Sequence, residues 1–139
     1  MSDVLVFPKQ AETFLKVLGV VQKKTKANYV QFAHVSGTIL AEVGKFTGMD
    51  PSLFAALAAG SYSSTSTMGQ IIGEKQFSSI CHIGSKHSLH ITPIGDKALL
   101  ILIYNSPKIP FRLNAIVEKF KSELVGSVGL IGVTTPLHK

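Results

Sequence analysis

The chain has few of the residues on which many protein activities depend. Cys81 is its only cysteine and Arg112 its only arginine, and charged residues make up just 16% of the sequence. A single cysteine excludes an internal disulfide, and this fits a reducing, cytoplasmic location. Because the charge is low and the mean hydropathy is positive, we expect a protein partner to cover part of the apolar surface.

The given sequence shows neither the pattern of a membrane span nor that of a signal peptide. No apolar run reaches transmembrane length, and the first residues have neither the basic start nor the cleavage site of a signal peptide. We therefore expect no stable membrane insertion. At 139 residues the chain can form one domain with a substantial core, which we place at residues 1–125, followed by a tail at residues 126–139.

The net charge of +6 raises nucleic-acid or membrane binding as an alternative function. The basic residues are spread along the chain, however, and the densest group is Lys23, Lys24 and Lys26 at the end of the first predicted helix, where cations complement the helix dipole. Arginine is the usual reader of phosphates and bases, and it occurs once. Aromatic and basic residues do not interleave as in proteins that stack bases. We therefore predict no nucleic-acid partner.

Motifs for catalysis, nucleotide binding or metal binding are not present. The sequence contains neither GxxxxGK[ST] nor GxGxxG, the glycine-rich patterns that hold phosphates. Cys81 and His82 are neighbours on a predicted strand, so they point to opposite faces and cannot form a nucleophile–base pair. His87 and His90 lie on the same predicted hairpin, but the spacing fits no structural zinc pattern. We predict that the chain is not an enzyme and has no catalytic residues, no metal and no cofactor.

Residues 50–74, DPSLFAALAAGSYSSTSTMGQIIGE, predict one long helix with unusually small residues in its middle. Asp50 is a suitable N-cap, Pro51 a suitable first helical residue, and Gly73 a suitable left-handed terminator. Glycine in a helix interior costs about 1 kcal/mol relative to alanine, and serine is also inferior. A helix that keeps such residues gains from the close approach of another backbone. We therefore interpret this helix as a docking surface.

Two stripes with helical spacing run along this helix. The larger residues predict a face toward the protein's own core: Leu53, Leu57, Ser64, Met68 and Ile71. The second stripe contains only small residues: Ala56, Gly60, Ser63 and Thr67. The small row either packs tightly on the protein's own sheet or leaves room for a second chain, and we favour the second chain.

The remaining elements place this helix in an α/β sandwich. Helices are predicted at residues 8–26 and 110–124, and strands at residues 28–35, 38–45, 78–84, 88–94 and 97–104, with Ser36-Gly37 as a two-residue hairpin turn. The last strand, KALLILIY, is apolar throughout and needs cover on both faces. The order α-β-β-α-β-β-β-α therefore predicts three layers around an antiparallel sheet. The tail from residue 125 is either disordered or an extra strand.

Three segments resemble the roadblock family, and within it the bacterial MglB-type regulators of cell polarity and gliding motility. They are SLFAALAAGSYSSTSTMGQIIGEKQF, CHIGSKHSLHI and IGDKALLILIYN, and the resemblance extends over about residues 14–124. It implies a roadblock fold, which is profilin-like or longin-like, with the five strands in the order 2-1-5-4-3. It also implies that the central helix lies on one face of the sheet and the terminal helices on the other.

The resemblance further implies a homodimer that binds a Ras-like small GTPase in its GTP state and stimulates GTP hydrolysis without inserting an arginine. The alternative is a non-catalytic scaffold that tethers other roadblock or polarity proteins, or GTPases, without activating them. The implied partner-binding residues are Ala56, Ala59, Gly60, Ser63 and Thr67. The implied homodimer forms through the central helices and third strands, at Phe54, Ala58, Tyr62, Ile80 and His82.

Overall fold

A computed structural model describes residues 3–5, 8–128 and 132–134 of the chain. The helices and strands follow in the order β1 (Asp3–Leu5), α1 (Pro8–Thr25), β2 (Tyr29–His34), β3 (Ile39–Gly44), α2 (Pro51–Ile71), β4 (Ile80–Ile83), β5 (Ser88–Ile94), β6 (Ala98–Tyr104), α3 (Leu113–Val128) and β7 (Gly132–Thr134). None of the described helices is both long enough and apolar enough to cross a membrane.

Five strands form one antiparallel sheet in the order β3-β2-β6-β5-β4. This is the order 2-1-5-4-3 that the resemblance implies, and the arrangement of the eight main elements is also confirmed. The sheet has two edges, β3 and β4. A separate two-stranded sheet pairs β1 with β7, so part of the tail is an extra strand. The last helix begins three residues later than predicted and continues past residue 125, through Val128.

Helices cover both faces of the sheet, as the sequence predicts. All seven residues of β6 are buried, and successive residues face different helices. Leu100 and Leu102 belong to the core beneath α1 and α3, which includes Phe14, Phe32 and Val117. The neighbouring β6 residues Leu99 and Ile101 instead belong to a smaller core beneath α2, together with Ala33, Ile91, Ala55, Ala58 and Ala59.

Helix α2 begins and ends where its sequence predicts. The Asp50 Oδ1 atom accepts hydrogen bonds from the backbone N–H groups of Ser52 and Leu53, at 3.0 and 3.3 Å. At the other end Gly73 has a φ of +87°, and the Glu74 N–H donates to the Gly69 carbonyl at 2.8 Å. These three hydrogen bonds satisfy backbone groups that every helix leaves free at its ends, so the helix bounds are fixed locally.

The predicted core face of α2 is wrong. Leu53, Leu57, Ser64, Met68 and Ile71 are all exposed, and the buried residues of the helix are Ala55, Ala58, Ala59 and Gly69. The sheet supplies the large side chains at this contact, among them Ile91, Leu99 and Ile101. Small helical residues therefore fill the remaining space, and the large residues of α2 face solvent.

The turn between β2 and β3 also differs from the prediction. The connection spans residues 35–38 instead of two residues, because the register of the two strands shifts between Phe32 and Ala33. Gly37 has a φ of +96°, and a Cβ added there would lie 3.1 Å from the Ala56 Cα. The turn therefore approaches the α2 backbone closely, and only glycine fits this contact without displacement.

Gly44 gives a test of this fold at the end of β3. It has a φ of +89°, and an added Cβ would overlap the Asn28 carbonyl oxygen. Gly48 has a φ of +78° but meets nothing within 4 Å. We expect Gly44→Ala to lower the free energy of unfolding by about 3 kcal/mol and Gly48→Ala by only about 1 kcal/mol, measured by urea denaturation. Equal losses would show that the Asn28 contact does not constrain this end of the sheet.

Candidate interaction surface on α2 and β4

An open groove of about 650 Å³ lies between the N-terminal half of α2 and the β4–β5 hairpin. Its walls are mostly apolar. The linker before α2 contributes Phe46 and Met49, the helix contributes Leu53 and Leu57, and β4 contributes Ile83. A concave apolar site with few polar groups is typical of a surface that receives another molecule.

Beyond the groove, exposed apolar side chains lie near both ends of one face of α2, with Ser64 between the two groups, and we call these apolar residues the apolar ridge. The ridge consists of Leu53, Leu57, Met68, Ile71 and Ile72, and each of these residues is between 57% and 80% exposed. At roughly 100° per residue, the four ridge residues within α2 lie on the opposite side of the helix from the buried Ala55 and Ala58, and Ile72 follows the last turn. Exposed apolar side chains grouped on one helix face make that face a candidate interaction site.

The small row of Ala56, Gly60, Ser63 and Thr67 lies beside the ridge and is exposed along its whole length. It therefore does not pack on the protein's own sheet. A Cβ added at Gly60 would meet nothing within 4 Å, so no contact within the chain requires glycine there. The Thr67 hydroxyl donates to the Ser63 carbonyl at 3.0 Å, so its hydrogen-bonding need is met within the helix.

The other sequence-predicted residues fall into different environments. Ala58 and Ala59 are only 5% and 7% exposed, because they face the sheet beneath α2. Phe54, Tyr62 and Ile80 are half-buried at the border of the same core, and His82 is exposed. The fold thus brings four of the five predicted partner-binding residues to one exposed face, and it separates Ala59 from them. Sequence spacing alone misses the ridge, because it assigns the large residues to the core.

Strand β4 forms an open edge of the sheet beside this helix. It pairs with β5 alone, and its other side has no partner among the described residues. The pairs Ile80–Ile91 and His82–Leu89 place Ile80 and His82 on the face that carries α2. The edge strand and the apolar ridge are therefore neighbouring parts of one surface. Unpaired backbone groups on such an edge can accept a further strand.

Polar contacts at its first turn hold α2 in place. The Gln31 amide donates to the Pro51 carbonyl at 3.1 Å and to the Tyr29 hydroxyl at 2.9 Å. The Tyr29 hydroxyl in turn donates to Glu42, and burial together with this bond raises the pKa of the Tyr29 phenol. Near the other end, a Cβ added at Gly69 would lie 2.8 Å from the Phe77 ring. These contacts fix which face of α2 is presented to solvent.

The histidines of the β4–β5 hairpin do not converge on one point. His82 and His87 are exposed, whereas His90 is buried and its Nε2 atom lies 3.1 Å from the Asn114 Oδ1. Burial lowers the pKa of His90 and raises that of the Cys81 thiol, which favours the neutral form of each. No three His, Cys, Asp or Glu residues in the described parts of the chain are grouped so that they could hold a metal ion.

The fold is shared with known proteins. Over 90% of this chain and 94% of the other, Myxococcus xanthus MglB superposes with a TM-score of 0.81 at 22% identity. The gliding protein MglB of Thermus thermophilus superposes with a TM-score of 0.80 at 20% identity, over 93% of this chain and 98% of that one. An MglB with a tetrameric arrangement superposes with a TM-score of 0.77 at 21% identity, over 92% of this chain and 96% of that one.

Identities this low show a common fold and no more. A search of curated protein sequences gave no significant match. The sequence pattern of the Roadblock/LC7 domain, however, matches residues 14–104, which include β2 to β6 and the whole of α2. This match covers more than half of the chain and agrees with the roadblock/profilin-like arrangement of sheet and helices. The chain therefore belongs to the Roadblock/LC7 domain family.

Proposed function

We propose that this chain forms a homodimer that binds a Ras-like small GTPase in its GTP state and stimulates its GTP hydrolysis. The observation that carries the proposal is the apolar ridge beside the open edge of β4. Such a surface is unfavourable in water, and a second protein chain is the occupant that would cover its full length. Membership of the Roadblock/LC7 family and the likeness to MglB structures support a regulatory role over an enzymatic one.

A second copy of the chain fits both halves of this surface. Around a twofold axis the same patch of each protomer takes part, and elements that lie at the axis meet their own equivalents. With the axis beside this edge, β4 can pair with the partner's β4 and α2 can pack on the partner's α2. Strand pairing would satisfy the free backbone groups of the edge, and helix packing would bury residues such as Leu57 and Ile71. An MglB with a tetrameric arrangement gives a precedent for self-association in a protein of this fold.

The small row then remains for the GTPase. If the ridge lies in the dimer, then Ala56, Gly60, Ser63 and Thr67 flank the dimer seam on each protomer. Their short side chains allow another backbone to approach closely, which accounts for glycine and serine in a helix that loses stability by keeping them. Ala58 and Ala59 support this surface from beneath, since they hold α2 against the sheet.

Stimulation of hydrolysis would have to act through residues that the GTPase already has. Arg112 is the only arginine, and it lies between β6 and α3, not on α2. The chain therefore has no arginine on the proposed contact surface to stabilise charge in the transition state. The remaining mechanism is a contact that repositions the GTPase's own catalytic groups. Its effect is measured by comparing the rate of GTP hydrolysis by the GTPase with and without this protein.

The dimer is tested by a charge placed on the ridge. We expect a mass near twice 14.9 kDa by light scattering at micromolar concentration, and a mass near 14.9 kDa for Leu57→Glu. A buried, unpaired carboxylate would oppose association, whereas an exposed one in the monomer costs little. Leu15→Glu on α1 is the matched control, because Leu15 is also an exposed leucine on a helix. A monomeric wild-type protein at this concentration would contradict the proposal.

The GTPase contact is tested by Thr67→Arg. We expect it to weaken binding of the cognate GTPase, loaded with a GTP analogue, by about 30-fold or more, because the side chain adds bulk and a charge that loses its water. Thermal melting should stay unchanged, since Thr67 is exposed. Thr13→Arg is the control: Thr13 is exposed on α1, and its hydroxyl also bonds the carbonyl four residues before it.

Unchanged affinity for Thr67→Arg would mean that the GTPase does not bind at the small row. A lower melting temperature would mean that the residue supports the fold. A third outcome would indicate the scaffold, which tethers a GTPase without activating it. In that case the wild type binds the GTPase and Thr67→Arg does not, but the wild type does not accelerate GTP turnover.

A further inference from the structure

The fold gathers at one end of the sheet basic residues that are spread along the sequence. The strand register places Tyr29 beside Gly44 and Ile103, and Ser88 beside Tyr104. The first residues of β2 and β5 and the last residues of β3 and β6 therefore lie at the same end of the sheet, and four segments of the chain meet there. They are the end of α1, the linker after β3, the β4–β5 turn and the segment between β6 and α3. Seven exposed cations lie on them, and we call this group the basic end: Lys23, Lys24, Lys26, Lys45, Lys86, Lys108 and Arg112.

Contacts between the segments show that they adjoin one another. The Tyr104 hydroxyl donates to the Thr25 carbonyl at 3.0 Å, which joins the end of β6 to the end of α1. The Ser88 hydroxyl donates to the Ser106 carbonyl at 2.7 Å, which joins the β4–β5 hairpin to the segment after β6. The Phe46 and His87 rings lie 5.3 Å apart and bring the linker after β3 against the same hairpin.

The charge at this end is almost uncompensated. The acidic residues on these segments and the strand before them are Glu42 and Asp50, and both are already engaged. Glu42 accepts a hydrogen bond from Tyr29, and Asp50 caps α2. Seven basic and two acidic residues leave a local charge of +5, close to the net charge of +6 for the whole chain. Among the described residues, none of the seven cations forms a salt bridge.

An exposed aromatic side chain lies on one of these four segments. Phe111 is 97% exposed, the most exposed of the large apolar residues in the described parts of the chain. It lies beside Arg112 and three residues after Lys108, whereas Ile109 between them packs on the core. The packed Ile109 anchors the segment to the body of the protein, so Phe111 is held outward next to cations. An apolar side chain among cations is the combination that binds the interface of an anionic bilayer.

We propose that the basic end binds the surface of an anionic lipid bilayer, with its lysines on the headgroups and Phe111 among the outer acyl carbons. This surface is separate from the small row and does not depend on the GTPase proposal. Six of the seven cations are lysines, which suit diffuse attraction to headgroups more than the bidentate recognition that arginine supplies. One exposed phenylalanine does not form the row of stacking platforms that single-stranded nucleic acids require.

Vesicle flotation tests the charge contribution. The full-length protein should float with vesicles of phosphatidylcholine containing roughly 30% phosphatidylglycerol at about 0.1 M salt, and should release at about 1 M salt. It should not float with pure phosphatidylcholine. Because each cation near an anionic surface adds about a fivefold gain in partitioning, Lys86→Glu, Lys108→Glu and Arg112→Glu together should lower binding roughly 100-fold or more.

A second triple variant is the matched control. Lys9→Glu, Lys75→Glu and Lys97→Glu make the same change in net charge on exposed lysines outside the basic end. This variant should keep most of the binding. Equal loss in the two triple variants would show that only the total charge matters, and it would overturn the assignment of the site. Circular dichroism on both variants establishes that they are folded.

Phe111 is tested without any change in charge. The chain contains no tryptophan, so Phe111→Trp introduces a single fluorophore at this position. Its emission should shift to shorter wavelength with anionic vesicles and not with phosphatidylcholine alone, and Phe111→Ser should lower binding severalfold. Absence of a shift, or retention on double-stranded DNA but not on vesicles, would overturn the proposal. This measurement remains decisive if the charge-reversed variants do not fold.

Discussion

The close packing of α2 on the sheet is the contact on which the other features of the protein depend. Ala55, Ala58 and Ala59 face a sheet surface that already carries large side chains, including Leu99 and Ile101. Only a helix face of small residues fits the space that these side chains leave. Since the face with Ala55, Ala58 and Ala59 is buried, the large residues on the opposite side of the helix must face outward. The apolar ridge is thus a consequence of how the interior is filled.

This packing relates the stability of the fold to its proposed function. A free protomer leaves the ridge residues Leu53, Leu57 and Ile71 in water, where they contribute no burial energy. Pairing of two protomers through the ridge and β4 would recover that energy and close the sheet edge, which is otherwise open to unspecific strand addition. The small row lies beside this seam, so the surface proposed for the GTPase would be placed by the dimer.

Local sequence signals predicted the elements well, because each signal acts within a few residues. Asp50, Pro51 and Gly73 predicted the ends of α2, and the unbroken apolar run of β6 predicted cover on both faces of the sheet. The orientation of α2 could not be predicted in this way, because more than two faces of the helix have helical spacing. The face that is buried, with Ala55, Ala58 and Ala59, belongs to neither of the two stripes. Its burial depends on Leu99 and Ile101, which follow much later in the chain. The basic end and the β1–β7 pairing depend in the same way on segments that only the fold brings together.

Hydrogen exchange of the two edge strands at different protein concentrations tests the central claim most directly, namely that the ridge and β4 form the surface on which two copies meet. Amide groups on the open side of β4, within Ile80–Ile83, should exchange more slowly as concentration rises, because they gain hydrogen bonds to a partner strand. The opposite edge, β3, is the internal control and should be unaffected. Protection at β3 in place of β4, or exchange at β4 that is independent of concentration in a protein of dimeric mass, would contradict the account.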